Sequence, residues 1–255
     1  MPAELPTESV RTEVSGEVAV VCLDRPPVNA LDSATYASIA AAFTALAGSG
    51  ASICVLRSAG RHFCAGNDLN ESAAITPEAI PGWLDNARRA FASIHECPIP
   101  VIAAVQGAAL GSGLQLAASC DLVIAAADAR FGLPEITVGM MGGARHLARL
   151  VPWPMVRRMF YTGKPVLARE LDRVGGLAVL VPADESAADV AIAFARDVAA
   201  SGVNAMRTAK RSLTAIESME LAEGYAFEAS LTRELLLHAP ESRKHMSQAL
   251  GGRAQ

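Results

Sequence analysis

The run Val101-Ile-Ala-Ala-Val-Gln-Gly-Ala-Ala-Leu-Gly-Ser-Gly-Leu-Gln-Leu-Ala-Ala-Ser-Cys-Asp121 constrains the chain more than any other stretch. It opens as an unbroken apolar segment of small and β-branched residues and breaks at Gly107. Gly111-Ser112-Gly113 follows, and Leu114 to Ala118 can continue as a helix. This is the pattern of a buried strand, a tight turn and a helix start. A helix that begins among glycines leaves backbone N–H groups unpaired and pointing outward. Such groups can bind a phosphate, or they can stabilise an oxyanion that develops during a reaction.

The flanking sequence places this unit in an α/β fold. Val14 to Leu23 reads as two short strands joined by a turn at Ser15-Gly16. Arg25-Pro26-Pro27 ends that ladder, because proline removes donors and restricts the residue before it. Asp32 or Ser33 can cap a helix whose Tyr36, Ile39, Phe43 and Leu46 share one face. Ser52 to Leu56 reads as a buried strand, Ser58 to Asn70 as a loop and Pro77 to Pro81 as irregular chain, with a helix from Gly82 to His95. Leu122 to Ala125 and Leu177 to Val181 read as further strands, with helices between them over Pro154 to Tyr161 and Leu167 to Val174. Beyond Glu185 the pattern is helical. Val190, Phe194 and Val198 line one helix, Met206, Leu213 and Ile216 a second, and a third runs from about Leu221 to His238. A short helix from Glu241 to Leu250 follows. Strands that alternate with helices early and give way to helices late define one α/β domain with a helical extension.

Several function classes are disfavoured. The net charge is −4, and Lys and Arg nowhere cluster beyond a pair, so no nucleic-acid partner is expected. The five cysteines are odd in number and form no Cys-x-x-Cys pair. They read as free thiols in a reducing compartment, and no metal site is expected. Met1 to Ser9 lacks an apolar signal core, and no apolar run reaches the length of a membrane span. A cytoplasmic protein without a membrane partner is the expectation.

Four stretches in order resemble the crotonase, or enoyl-CoA hydratase/isomerase, superfamily: Leu23-Asp-Arg-Pro-Pro-Val-Asn-Ala-Leu-Asp32, Gly60-Arg-His-Phe-Cys-Ala-Gly-Asn-Asp-Leu69, Val105 to Asp121, and Phe131-Gly-Leu-Pro-Glu135 with Gly139 to Gly143 after it. The resemblance implies a spiral of repeated β-β-α units over residues 1–200 and a C-terminal helical trimerisation region over 201–255. It also implies a homotrimer or homohexamer. The substrate is then an acyl-coenzyme A thioester, with coenzyme A part of the substrate and no separate cofactor. The shared chemistry is an enolate held by two backbone N–H groups. By match to the motif these belong to Asn67 and Ser112. Ala65, Gly66, Asn67, Asp68 and Leu69 then form the loop that contacts the nucleotide portion, and Val28 and Ala30 line the same cleft. The usual C-terminal Phe-x-x-Lys-Arg-x-Pro is missing, and only Arg253 is near its place.

Hydratases of this family commonly carry two glutamates. Here the second is Glu135, and the first position holds Gln115. A glutamine cannot exchange protons at a useful pKa, though it can orient water or a carbonyl. Glu135 must then carry the proton chemistry, and an apolar cleft would raise its pKa. Hydration of a 2-enoyl-CoA, or the reverse dehydration, is the leading expectation. Double-bond isomerisation with Glu135 as sole acid/base, and acyl-CoA binding without catalysis, are the alternatives. The Ser112 side chain reads as incidental, because Gly-x-Ser-x-Gly is not satisfied. The dinucleotide fingerprint fails as well, since Leu116 replaces its last glycine. Arg25 and Arg61 could reach cofactor phosphates. His62 and His146 read as surface or phosphate contacts, and Met140-Met141 could line the acyl pocket.

Overall fold

The protein's structure is a computed structural model that describes residues 9–238. A hairpin opens the chain: β1 (Val10–Ser15) pairs antiparallel with β2 (Val18–Leu23) across Gly16, whose φ of 59° suits a glycine turn. β3 (Ile53–Ser58), β4 (Val101–Val105), β6 (Leu122–Ala126) and β9 (Val179–Val181) then add in parallel, giving the order β1-β2-β3-β4-β6-β9. Parallel strands covered on both faces read as continuous apolar runs, and β4 is buried along its whole length.

Period-two alternation assigns each side chain to a layer. Cys54, Leu56, Val101, Ala103 and Val105 face the larger core, under α1 (Ser33–Ala45), α3 (Ile80–His95) and α4 (Ser112–Ser119). Ile53, Val55, Ile102, Ala104 and Ile124 face the other side, against α8 (Ala187–Ala199). The helix meets the sheet through Ala187, Ala191, Ala195 and Ala199, a stripe of small side chains one turn apart. Val190, Phe194 and Val198, the face the sequence pattern suggested, are only half-buried flanks of that stripe. Small residues win because they let the helix backbone approach a β-branched sheet surface closely.

A second, three-stranded sheet has the order β5-β7-β8, with β5 (Ala108–Leu110), β7 (Arg130–Gly132) and β8 (Val166–Leu167). Single bridges extend it, Cys64 to Ala109 and Leu31 to Asn67. The segment expected as a free loop over Ser58 to Asn70 is therefore partly paired, and it ends in α2 (Leu69–Ala74), capped by Asp68. Strands of two or three residues carry too little periodicity to be seen in the sequence. With β4, β5 and α4 followed by β6 and β7, the chain winds as successive β-β-α units.

The remaining helices are α5 (Ala144–Leu147), α6 (Trp153–Thr162), α7 (Ala168–Asp172), α9 (Val203–Ile216) and α10 (Leu221–His238). The proposed helix over Glu241 to Leu250 and Arg253 lie outside the described residues. No helix among the described residues is long and apolar enough to cross a membrane. Leu213 on α9 is 64% exposed. The buried residue of α9 is Lys210, whose Nζ lies 2.6 Å from Asp121 Oδ1, while Asp121 Oδ2 accepts the Val101 amide at 2.7 Å. This ion pair ties the helical extension to the start of β4. Lys210→Met leaves the Asp121 carboxylate without its counter-charge, and a loss of about 3 kcal/mol is expected in urea unfolding.

Candidate active site

A cleft of about 400 Å³ opens between three chain segments. Val28 and Ala30 contribute one wall. Ala65, Gly66, Asn67, Asp68 and Leu69 form a second, and Gly111, Pro134, Glu135 and Met140 the third. Every residue expected to contact the nucleotide portion thus stands on one cavity with Glu135.

The backbone at its floor has two gaps. The amides of Leu31, Cys64, Asp68, Leu110 and Gly111 all donate to carbonyls, at 2.8–3.0 Å. Between them, the amides of Asn67 and Ser112 have no acceptor among the described residues. Ser112 is buried and Asn67 half-buried, where a backbone donor without an acceptor is uncommon. Gly66 packs close to Ser112. Its φ is +105°, and a Cβ there would sit 3.0 Å from Leu110 O and 3.7 Å from Ser112 N. Gly111 acts likewise at the start of α4. Its φ of 55° and ψ of −121° exclude a side chain, and a Cβ would meet Glu135 Oε1 at 2.8 Å.

Glu135 lies in a 3₁₀ turn, Pro134–Val138, and is 9% exposed. Its Oε2 is buried without a hydrogen-bond partner among the described residues, and burial pushes its pKa above 4.5. Gln115 stands apart from this carboxylate. It is not among the walls of the cleft, and its side chain packs against the backbone of Gly142 and Gly143.

Two side chains acquire roles the sequence pattern did not give them. The Ser112 hydroxyl, read as incidental, donates to Asn67 Oδ1 at 2.8 Å. The Tyr36 hydroxyl donates to the same oxygen at 2.5 Å. Together they fix the Asn67 side chain, and with it the loop that carries the free amide. Tyr36 read as a core residue of α1. A buried tyrosine needs a partner for its hydroxyl, which was the available signal. Asn29, at φ 55° and 3% exposed, is a second unforeseen residue. It accepts from the Arg25 amide and donates to the carbonyls of Ala59 and His62, clamping two loops of the cleft.

Of the cations expected at the phosphates, Arg25 lines the cleft and Arg61 does not. Arg25 pairs with Asp32 at 2.9 Å and Asp68 at 2.8 Å, and donates to Ala30 O, so its charge is already balanced. That guanidinium also holds Asp68 below the usual carboxylate range. Arg61 and His62 line a separate cavity with Arg57 and Arg130. His62 Nδ1 accepts the Ala108 amide at 3.2 Å, a structural bond. His146 is no surface group: its ring is half-buried edge-on to Phe91, with centroids 5.3 Å apart. Met141 is 76% exposed, and only Met140 of that pair lines the cleft. All five cysteines are buried and free, and no three metal-binding side chains cluster among the described residues.

Comparison with known proteins agrees with this architecture. A family model described as enoyl-CoA hydratase/isomerase matches residues 13–248. The chain therefore belongs to the enoyl-CoA hydratase/isomerase family and has the crotonase fold. It is similar to a (7aS)-7a-methyl-1,5-dioxo-2,3,5,6,7,7a-hexahydro-1H-indene-carboxyl-CoA hydrolase of Mycobacterium tuberculosis, 38% identical over 86% of this chain and 90% of the relative. A 2,3-dehydroadipyl-CoA hydratase of Escherichia coli is 34% identical over 89% of each. The crystal structure of an enoyl-CoA hydratase from Bacillus anthracis superposes with a TM-score of 0.89, at 28% identity and 96% coverage of both chains.

Proposed function

We propose that this chain adds water to an acyl-CoA thioester, with Glu135 as the only proton-transferring side chain. The observation that carries the reading is a buried carboxylate with an unbonded oxygen, in a cleft that Asn67 and Gly111 also line, with the Asn67 amide and that of Ser112 after Gly111 free of acceptors among the described residues. The amides of Asn67 and Ser112 hold the thioester oxygen. Because they are fixed before the reaction, they stabilise developing negative charge with little reorganisation.

In hydration of a 2-enoyl-CoA, Glu135 takes a proton from water as the oxygen bonds to the β carbon. The alkene electron pair moves onto the thioester oxygen, giving the enolate. Glu135 then returns its proton to the α carbon. One carboxylate balances the step, acting first as base and then as acid. A second reading is hydrolysis, favoured by the 38% identical relative named a hydrolase of a bicyclic dioxo acyl-CoA. There Glu135 would direct water to a carbonyl. Self-association as a trimer or hexamer belongs to the same proposal, and Leu213, Leu221 and Tyr225, all exposed on α9 and α10, support it. Sedimentation equilibrium measures it directly.

The test is turnover of three compounds: crotonyl-CoA, a 3-enoyl-CoA and the bicyclic dioxo acyl-CoA. Consumption of crotonyl-CoA with formation of the 3-hydroxyacyl product supports hydration. Consumption of only the second or only the third assigns isomerisation or hydrolysis, and turnover of none overturns the enzymatic reading. The acid limb of the pH profile should lie above 4.5, because Glu135 must be ionised to accept the first proton and burial disfavours that form.

A further inference from the structure

A second cavity, of about 380 Å³, takes no part in the chemistry above. Its walls include Phe91, His95, Ser119, Arg145 and His146. Its position follows from α4. Gly111, Gln115 and Ser119 are spaced by four residues and stack along one helix face. The chain's own bonds mark this row: the Gln115 amide donates to Gly111 O at 3.1 Å, and the Ser119 hydroxyl to Gln115 O at 2.7 Å. Gly111 borders the Glu135 cleft and Ser119 borders the second cavity. Gln115, midway between them in the row, lines neither cavity, and it is the one residue of α4 that is not fully buried. The two ends of one helix row thus border the two cavities.

The far cavity is chemically unlike an alkyl pocket. Arg149 is occupied by Glu217 and by the carbonyls of Ala118 and Cys120, and Arg88 by Asp85. Arg145 has no ion-pair partner among the described residues. Neither His95 nor His146 makes a hydrogen bond among them. Burial lowers the pKa of both imidazoles, that of His146 to about 4, so at neutral pH each presents one N–H donor. Phe91 supplies an apolar wall at right angles to Tyr36, with ring centroids 5.9 Å apart. The cavity thus offers hydrogen-bond donors at its end and an apolar flank along the way.

We propose that this cavity is a subsite for the far end of the acyl group, selecting a terminal oxygen function, carboxylate or ketone, through Arg145 and His146. The proposal rests on the acyl-CoA reading and extends it to substrate class. From Gly111 to Ser119 the helix rises about 12 Å. A four-carbon acyl group, with three carbon–carbon bonds of about 1.5 Å, cannot cross that distance. The substrate is accordingly a medium-length chain or a fused ring that carries oxygen at its distal end.

The experiment measures binding, so that it does not depend on turnover. Decanoyl-CoA, 9-oxodecanoyl-CoA and the monothioester of decanedioic acid with coenzyme A are titrated calorimetrically into the full-length protein, as wild type, Arg145→Gln and His146→Phe. His146→Phe keeps a ring on Phe91 and removes the N–H. The wild type should bind the carboxylate compound about tenfold more tightly than decanoyl-CoA, and Arg145→Gln should abolish that ratio. A preference for the ketone should instead vanish in His146→Phe. Equal affinities for all three compounds in the wild type, or a preference that survives both substitutions, overturns the subsite. Failure of all three to bind overturns the acyl-CoA reading itself.

Discussion

Glu135→Gln should lose at least about a thousandfold in kcat, since a positioned acid/base contributes roughly 10²–10⁴-fold and the other carboxylate on the cleft, Asp68, is paired with Arg25. The glutamine keeps the shape of the side chain and its place against Gly111, where Oε1 now lies 2.8 Å from the Cβ position of that glycine. Substrate binding should change little, so KM stays near the wild-type value while kcat collapses. The same variant should be more stable. The Glu135 pKa is raised above 4.5 by burial, so the folded protein favours the protonated form. That favourable contribution is complete below pH 4.5 and disappears as pH rises through the folded-state value. Above that value the wild type carries a buried charge with an unbonded oxygen, and the variant does not. The Tm of Glu135→Gln should exceed wild type by about 2 °C or more at pH 8 and converge with it below pH 4.5. A variant that is both slow and less stable at pH 8 would mean that the carboxylate is held by contacts and serves the fold.

Ser112→Pro should lower kcat by about 10²–10³-fold, the usual effect of deleting one oxyanion donor. Proline removes the amide hydrogen, and Ser112 is the first residue of α4, the helical position where proline is best tolerated. The helix can therefore form without the donor. Ser112→Ala is the matched control, because it keeps the N–H and removes the hydroxyl that bonds Asn67 Oδ1. Retention of most activity in Ser112→Ala with loss in Ser112→Pro assigns the effect to the backbone. Equal losses in both would move the role to the side chain and its hold on Asn67. Circular dichroism of both variants checks that α4 is intact.

The opening stretch also shows what a linear pattern can and cannot carry. The apolar run Val101 to Val105, the break at Gly107 and the helix from Ser112 were readable because each depends on neighbours within a few residues. Identifying Asn67, Ser112 and Glu135 required matching four separated motifs in order. The pattern did not reveal β5 and β7, which are three residues long. It also misjudged α8, where the sheet selects the alanine stripe over the bulkier valines and phenylalanine. Gln115 was readable as a departure from a carboxylate pair. Its packing against Gly142 and Gly143, away from the walls of the Glu135 cleft, was not.

By itself, the sequence determined the family and the strand-turn-helix at the centre, and it singled out Glu135 as the expected acid/base. These follow from local backbone preference, from hydrophobic period and from residue type. Only the tertiary structure decided that Gly66 packs close to Leu110 and Ser112, that Tyr36 and Ser112, the latter 45 residues away, share one oxygen of Asn67, and that Lys210 finds Asp121 across 89 residues. Contacts at such separations have no signature in local spacing. They exist because winding successive β-β-α units brings distant turns together, so that Asn67, Gly111 and the desolvated Glu135 line one cleft.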